Sequence, residues 1–229
     1  MKIKKFLIYL LKIWYHYNNL IMIIQRLNNF PINSNCFVVY TSKSENCIVI
    51  DPGSENCNEL LDFFELKHLK PQFLFLTHEH FDHIWGVNRL KELFNPDLIC
   101  SETCSEAIIN KKKNMSLFYN QIGFETLPAD RSVESMGCQM NCNGLPIEFI
   151  LTKGHSLGSI CIRIGNNLFT GDTIIKNLKT VTKLPGGNDV ELKESINLLN
   201  SKFKTLNPLV YPGHGDCFLF NDYMSELFL

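Results

Sequence analysis

The chain has 229 residues, which at roughly 100–200 residues per domain reads as one domain with small additions. Hydrophobic residues make up 45% and charged residues 20%, an ordinary globular composition, and a chain of this size buries a full core without disulfide staples. Lys+Arg total 22 against 23 Asp+Glu, a formal net charge of −1, which excludes the basic excess of a general nucleic-acid binder. Arginine is confined to Arg26, Arg89, Arg131 and Arg163. Nine cysteines form no regular framework, so they are read as reduced thiols of a cytoplasmic protein.

Residues 1–21 (MKIKKFLIYLLKIWYHYNNLI) place lysines before an apolar run. The run Phe6–Leu11 is broken by Lys12, and no small-residue cleavage site follows, so a signal peptide fits poorly. It is also far short of the ~20 apolar residues of a membrane span. The segment is read as an N-terminal extension or poorly ordered arm, with a basic amphipathic membrane anchor as the alternative. Residues 22–229 are read as the one globular domain. Met22–Asn28, Asn35–Thr41 and Cys47–Asp51 are predicted strands, joined by a polar hairpin at Thr41–Asn46 and ended by the turn Asp51-Pro52-Gly53. Leu60, Leu61, Phe63, Phe64 and Leu66 recur at helical spacing within Asn58–Leu69. Phe73–Leu76 is a short buried strand running into Thr77-His78. Gly86–Phe94 is a helix and Asp97–Cys100 a strand. Ser101–Asn120 reads as one or two exposed helices around Lys111-Lys112-Lys113. Ile147–Leu151, Ser159–Ile164 and Asn167–Thr170 are strands. Asp189–Asn200 is a helix capped by Asn188 or Asp189, and Leu209–Tyr211 is the last strand. No internal repeat is visible.

Five of the seven histidines fall in three short motifs at the ends of these strands. Thr77-His78-Glu79-His80-Phe81-Asp82-His83 is the densest. In an extended segment His78, His80 and Asp82 project to one side, and His83 joins them only if the chain turns there. Imidazole and carboxylate so packed are ready ligands for Zn²⁺, which binds N and O donors at ~2.0–2.2 Å. Downstream, His155 lies in Gly154-His155-Ser156-Leu157-Gly158-Ser159. Asp172 follows an apolar strand in Thr170-Gly171-Asp172, and His214 lies in Pro212-Gly213-His214-Gly215. Each of these three signals is weak alone; in order behind the first motif they add three metal-competent side chains. Cys100/Cys104 and Cys138/Cys142 lack the spacing of a zinc ribbon and are read as buried or free thiols.

With these pieces, and with Asn33–Val39 and Ile50–Gly53 as opening strands, the chain resembles the metallo-β-lactamase superfamily from about residue 22 to the C-terminus. The resemblance implies an α+β fold, a four-layer αββα sandwich with the site at one edge between the sheets. It also implies two divalent metal ions, Zn²⁺ first with Fe or Mn as alternatives. His78, His80 and His155 would hold one, Asp82, His83 and His214 the other, and Asp172 would bridge them. Asp82 and Asp172 would then be catalytic, around a bridging hydroxide acting as nucleophile on a small-molecule substrate.

Among subgroups, the glyoxalase II-like hydroxyacylglutathione hydrolases are most similar, through Leu168–Thr173 and Leu184-Pro185-Gly186-Gly187. That resemblance implies a thioester substrate, whose thiolate (thiol pKa about 8.5) leaves without a strong general acid. Two departures mark the chain: only Asp216–Leu229 follow the last ligand, and Ile174–Lys183 lacks the Arg usual after the bridging Asp. Lys176, Lys179 and Lys183 are read as a solvated basic loop, with an anionic thiol carrier as the sharper alternative. Lys111–Lys113, with Phe118 and Tyr119, read as a charged helix face rather than a lid. The alternative functions are a mononuclear-iron persulfide dioxygenase, a lactonase and a phosphodiesterase of the same fold.

Overall fold

The computed structural model describes residues 21–227. The N-terminal extension read from residues 1–21 lies outside them, apart from Ile21. The first sheet holds β1 (Met22–Asn28), β2 (Asn35–Thr41), β3 (Asn46–Ile50), β4 (Lys70–Phe75), β5 (Asp97–Cys100) and β6 (Arg131–Ser132) in that order. The second holds β7 (Gln139–Cys142), β8 (Leu145–Leu151), β9 (Ile160–Ile164), β10 (Asn167–Gly171), β11 (Leu209–Pro212) and β12 (Phe218–Leu219), also in chain order. Helices α1 (Asn58–Lys67), α2 (Phe81–Ile84), α3 (Val87–Phe94), α4 (Glu102–Ile108) and α5 (Ser116–Asn120) connect strands of the first half. Helices α6 (Asp189–Phe203) and α7 (Phe220–Leu227) belong to the second.

Side-chain alternation builds the layers. In the first sheet Val38, Val49, Leu74 and Leu98 face outward and pack with Leu60 and Phe64 of α1, Leu90 of α3 and Ile108 of α4. Their neighbours Phe37, Val39, Ile48, Ile50, Phe75 and Ile99 face inward and meet Phe149, Ile162, Ile164 and Phe169 of the second sheet. That sheet's other face, with Ile150, Cys161, Leu168 and Val210, packs on Leu199 and Phe203 of α6 and on Phe220 and Met224 of α7. Three apolar layers thus separate four layers of secondary structure, the αββα sandwich that the family resemblance implies.

The inner layer is tied by aromatic edges, Phe37 on Phe169 at 5.4 Å and Phe75 on Phe149 at 5.3 Å, contacts that favour this geometry over face-to-face stacking. Asn188 caps α6 as read, accepting from the backbone N–H of Val190 and Glu191. Two expectations change. Ser101–Asn120 is not simply exposed: Ser101 caps α4, whose Cys104, Ala107 and Ile108 are buried, and the three lysines occupy the turn before α5. The first sheet's β4 starts earlier than Phe73, through Pro71, where the pairing with β3 shifts register between Cys47 and Ile48. All nine cysteines are free thiols, seven of them buried.

Parallel pairing places the site. β3 runs parallel to β4, and β10 parallel to β11, so the segments leaving all four emerge along one edge of the sandwich. The sheets are joined there by backbone bonds: Ile160 N–H donates to Thr77 O at 2.8 Å, and Asn35 N–H to Gly213 O at 2.7 Å.

Candidate metal centre

All seven ligands that the resemblance implies arrive at this edge. His78 and His80 lie on the extended segment after β4. At Phe81 the chain turns into α2, with His80 extended at φ −66°, ψ 142° before it. That turn brings both Asp82 and His83 to the cluster. His155 comes from the β8–β9 loop, Asp172 follows β10 and His214 follows β11. Three overlapping groups of three form: His78, His80 and His155, all buried; Asp82, His83 and His214; and Asp51, His78 and His83, all buried, which takes one residue from each of the first two. Within each, one donor atom per residue lies within 4.8 Å of the others.

Asp172 stands between the first two groups. Its Oδ1 is 3.6 Å from His83 Nε2, and its Oδ2 is 3.6 Å from His155 Nε2 and 3.5 Å from His214 Nε2. Asp82 Oδ2 lies 3.3 Å from His214 Nε2 and 3.5 Å from His83 Nε2. This crowding requires a glycine: a Cβ on Gly213 would lie 2.1 Å from Asp172 Oδ1 and 2.8 Å from His83 Cε1.

The outer nitrogens of four rings face acceptors, which fixes the tautomer. His155 Nδ1 faces Val181 O at 2.8 Å, and His214 Nδ1 faces Asn33 O at 3.0 Å. His83 Nδ1 lies 3.0 Å from Asp51 Oδ2. Thr77 donates its hydroxyl to the same Asp51 oxygen at 2.6 Å, leaving its own oxygen to accept from His78 Nδ1 at 3.0 Å. Each Nδ1–H is thereby spoken for, and each Nε2 is presented inward. Asp51 also accepts Thr77 N–H at 2.8 Å. It is buried and adopts the left-handed φ of 55°. By sequence Asp51 reads as a turn residue; its partners, 26 and 32 positions away, give no local signal.

These residues fit a metal. His78 Nε2, His83 Nε2 and Asp172 Oδ1 are buried without a hydrogen-bond partner, although buried polar atoms are normally paired. His80 Nδ1 and His155 Nε2 face each other at 2.9 Å, a pairing of ring nitrogens that a shared cation satisfies. The charges agree. Burial, and then the neighbouring imidazoles, hold His78 well below 6.5 and His80 down at about 3. Burial would also pull His83 down. Asp82, the hydrogen bond to Asp51 and the charge of Asp172 outweigh it and hold His83 at about 10. Asp82 resists the upward push of burial because His83 and His214 keep it well below the usual carboxylate range.

Two mixed sheets, helices outside and a His/Asp cluster at their shared edge define a class of metal-dependent enzymes, chiefly hydrolases. The chain belongs to the metallo-beta-lactamase superfamily, whose family model matches residues 29–214. The probable metallo-hydrolase MJ0888 of Methanocaldococcus jannaschii is 32% identical over 202 residues, 84% of this chain and 93% of that protein. Among solved structures, the B3 metallo-beta-lactamase BLEG-1 superposes with a TM-score of 0.80 at 24% identity, covering 89% of this chain and 97% of that one. TTHA1623, solved in a di-iron-bound form, gives 0.73 at 25% identity over 86% and 95%. Among the described residues no helix is long and apolar enough to cross a membrane.

Proposed function

We propose that the chain is a metal-dependent hydrolase of thioesters, glyoxalase II-like in chemistry, acting on a small acyl thioester in the reducing cytoplasm. His78, His80 and His155 would hold one divalent cation and Asp82, His83 and His214 a second, with Asp172 shared; zinc is the first choice and iron the second. Bound there, such cations supply Lewis acidity, lowering the pKa of water and stabilising developing oxyanion charge.

The chain's own part is positional. Asp51, Thr77, Val181 O and Asn33 O hold four imidazoles in the inward-presenting tautomer. Asp82 and Asp172 supply negative charge at the centre, and the surrounding core keeps these donors rigid.

One observation carries the thioester reading. The carboxylates of the cluster are committed: Asp82 and Asp172 to the imidazoles around them, and Asp51 to Thr77 and His83. None is left to protonate a leaving group. A thiolate departs without that help, while an alkoxide or amine needs it. The nine free thiols support a reducing compartment. The near-neutral charge supports a small substrate rather than a nucleic acid.

The test is a panel of acyl thioesters, lactones and phosphodiesters given to zinc-loaded protein, with oxygen uptake on a persulfide given to iron-loaded protein. The highest kcat/KM is expected for a thioester. A preferred lactone or phosphodiester, or stoichiometric oxygen consumption, overturns the reading.

A further inference from the structure

Glu79 sits between two of the proposed ligands, His78 and His80, yet points away from the cluster. Its side chain is buried, with 5% of the residue exposed. Its Oε2 accepts a hydrogen bond from Ser156 Oγ at 2.9 Å, and Ser156 is the neighbour of His155. The backbone of Glu79 itself and of Gly158 also hydrogen-bonds the carboxylate. Ser156 Oγ lies 2.8 Å from Ser159 Oγ, which accepts the Ser156 N–H at 3.2 Å. Ser101, the cap of α4, donates its hydroxyl to Gly158 O at 2.7 Å. The loop is pressed so close that a Cβ on Gly158 would stand 2.5 Å from Glu79 Oε2 and 2.8 Å from the Cys104 backbone.

These contacts bind the segment carrying His78 and His80, from the first sheet, to the loop carrying His155, from the second. Burying a carboxylate is costly unless its oxygens are satisfied, so its placement at this seam is tightly specified. We propose that Glu79 is a positioning residue for the His78/His80/His155 group: through Ser156 it sets the separation of His80 Nδ1 and His155 Nε2. It touches none of Asp82, His83 and His214 through the contacts described, so its direct influence falls on the His78/His80/His155 group. The inference rests on the proposed ligand scheme but on no particular substrate.

The experiment is cobalt and zinc binding to the full-length protein by chelator competition, with the cobalt visible spectrum as a second readout. Glu79→Ala and Ser156→Ala are both expected to weaken the His78/His80/His155 cation by about 10–100-fold, the usual effect of losing a residue that orients ligands, and to alter its cobalt bands. Binding at Asp82/His83/His214 is expected to stay within about threefold, which also reports a correct fold. Glu79→Gln, which keeps one acceptor, is expected to lose less than Glu79→Ala. Glu79→Ala/Ser156→Ala is expected to lose no more than Glu79→Ala alone, because both remove one strut.

Wild-type affinity and spectrum in Ser156→Ala overturn the proposal, even if Glu79→Ala fails to fold. So do additive losses in the double variant, or equal losses at both groups. If the wild-type protein binds no cation through these histidines, the ligand scheme itself fails. That outcome is separate from intact binding that ignores Glu79.

Discussion

Replacing Asp51 by asparagine separates the hydrogen-bonding role of that residue from its shape. The amide of Asp51→Asn would keep one oxygen for Thr77 N–H, now held at 2.8 Å. In place of the other oxygen it would offer an NH₂ to two groups that now donate, Thr77 Oγ1 at 2.6 Å and His83 Nδ1 at 3.0 Å. The threonine hydroxyl can rotate. The imidazole cannot, because its ring is fully buried; its Nδ1–H would face the amide NH₂ and lose its acceptor. A cation at Asp82/His83/His214, which needs the proton kept on Nδ1 while Nε2 is free, then binds against that lost bond. A hydrogen bond to a charged group is worth about 1.5–3 kcal/mol. With 3% of the Asp51 side chain exposed, little solvent screening reduces that figure. The loss converts to roughly 10–100-fold in affinity. Chelator-competition titration followed by elemental analysis of the gel-filtered protein reads it directly: the Asp82/His83/His214 cation is expected to weaken by that factor while the other is retained. Two cations bound within about threefold of wild type would refute the argument that Asp51 sets the His83 tautomer.

Asp172→Asn keeps the shape of the central residue and removes its charge; thioester hydrolysis is expected to fall by at least about 10²-fold, with Asp189→Asn as a near-silent control, both read from initial rates. Gly213→Ala is expected to reduce cation stoichiometry or soluble yield, since its Cβ would sit 2.1 Å from Asp172 Oδ1; unchanged stoichiometry and yield would contradict the packing. In metal-free protein His83 keeps its proton up to about pH 10 and His214 is also shifted upward. Zinc loading at about pH 7.5 is therefore expected to release protons, and affinity to rise about tenfold per pH unit for each proton displaced. A pH indicator in weak buffer measures the release, and affinity independent of pH between about 6 and 9 would contradict it.

The parts legible from the sequence are those with a local period or a dense motif. The inward and outward residues of β2, β3 and β4 alternate as a buried strand must, and the seven site residues follow strand ends. What escaped was decided at a distance. Asp51 gains its role from Thr77 and His83, both remote in sequence. Edge strands β6 and β12 are two residues long, too short to show any alternation, and β7 is a polar hairpin arm. In Ser101–Asn120 the lysines dominate the sequence pattern, but Cys104 and Ile108, one helical turn apart, are the side chains that pack against the first sheet.

The backbone bonds from Ile160 to Thr77 and from Asn35 to Gly213 mark where the two halves of the sandwich touch at the site. Each proposed cation group draws on both halves: His155 joins His78 and His80, and His214 joins Asp82 and His83. A bound ion would therefore act as a rivet across the seam, closing long chain loops that the apolar layer between the sheets closes elsewhere. Cation loading then becomes a matter of mechanical integrity as much as chemistry. The amides of Ile160, Asn35 and Gly213 should exchange with solvent more slowly in the loaded protein, and this edge should be the first to open when the ions are stripped.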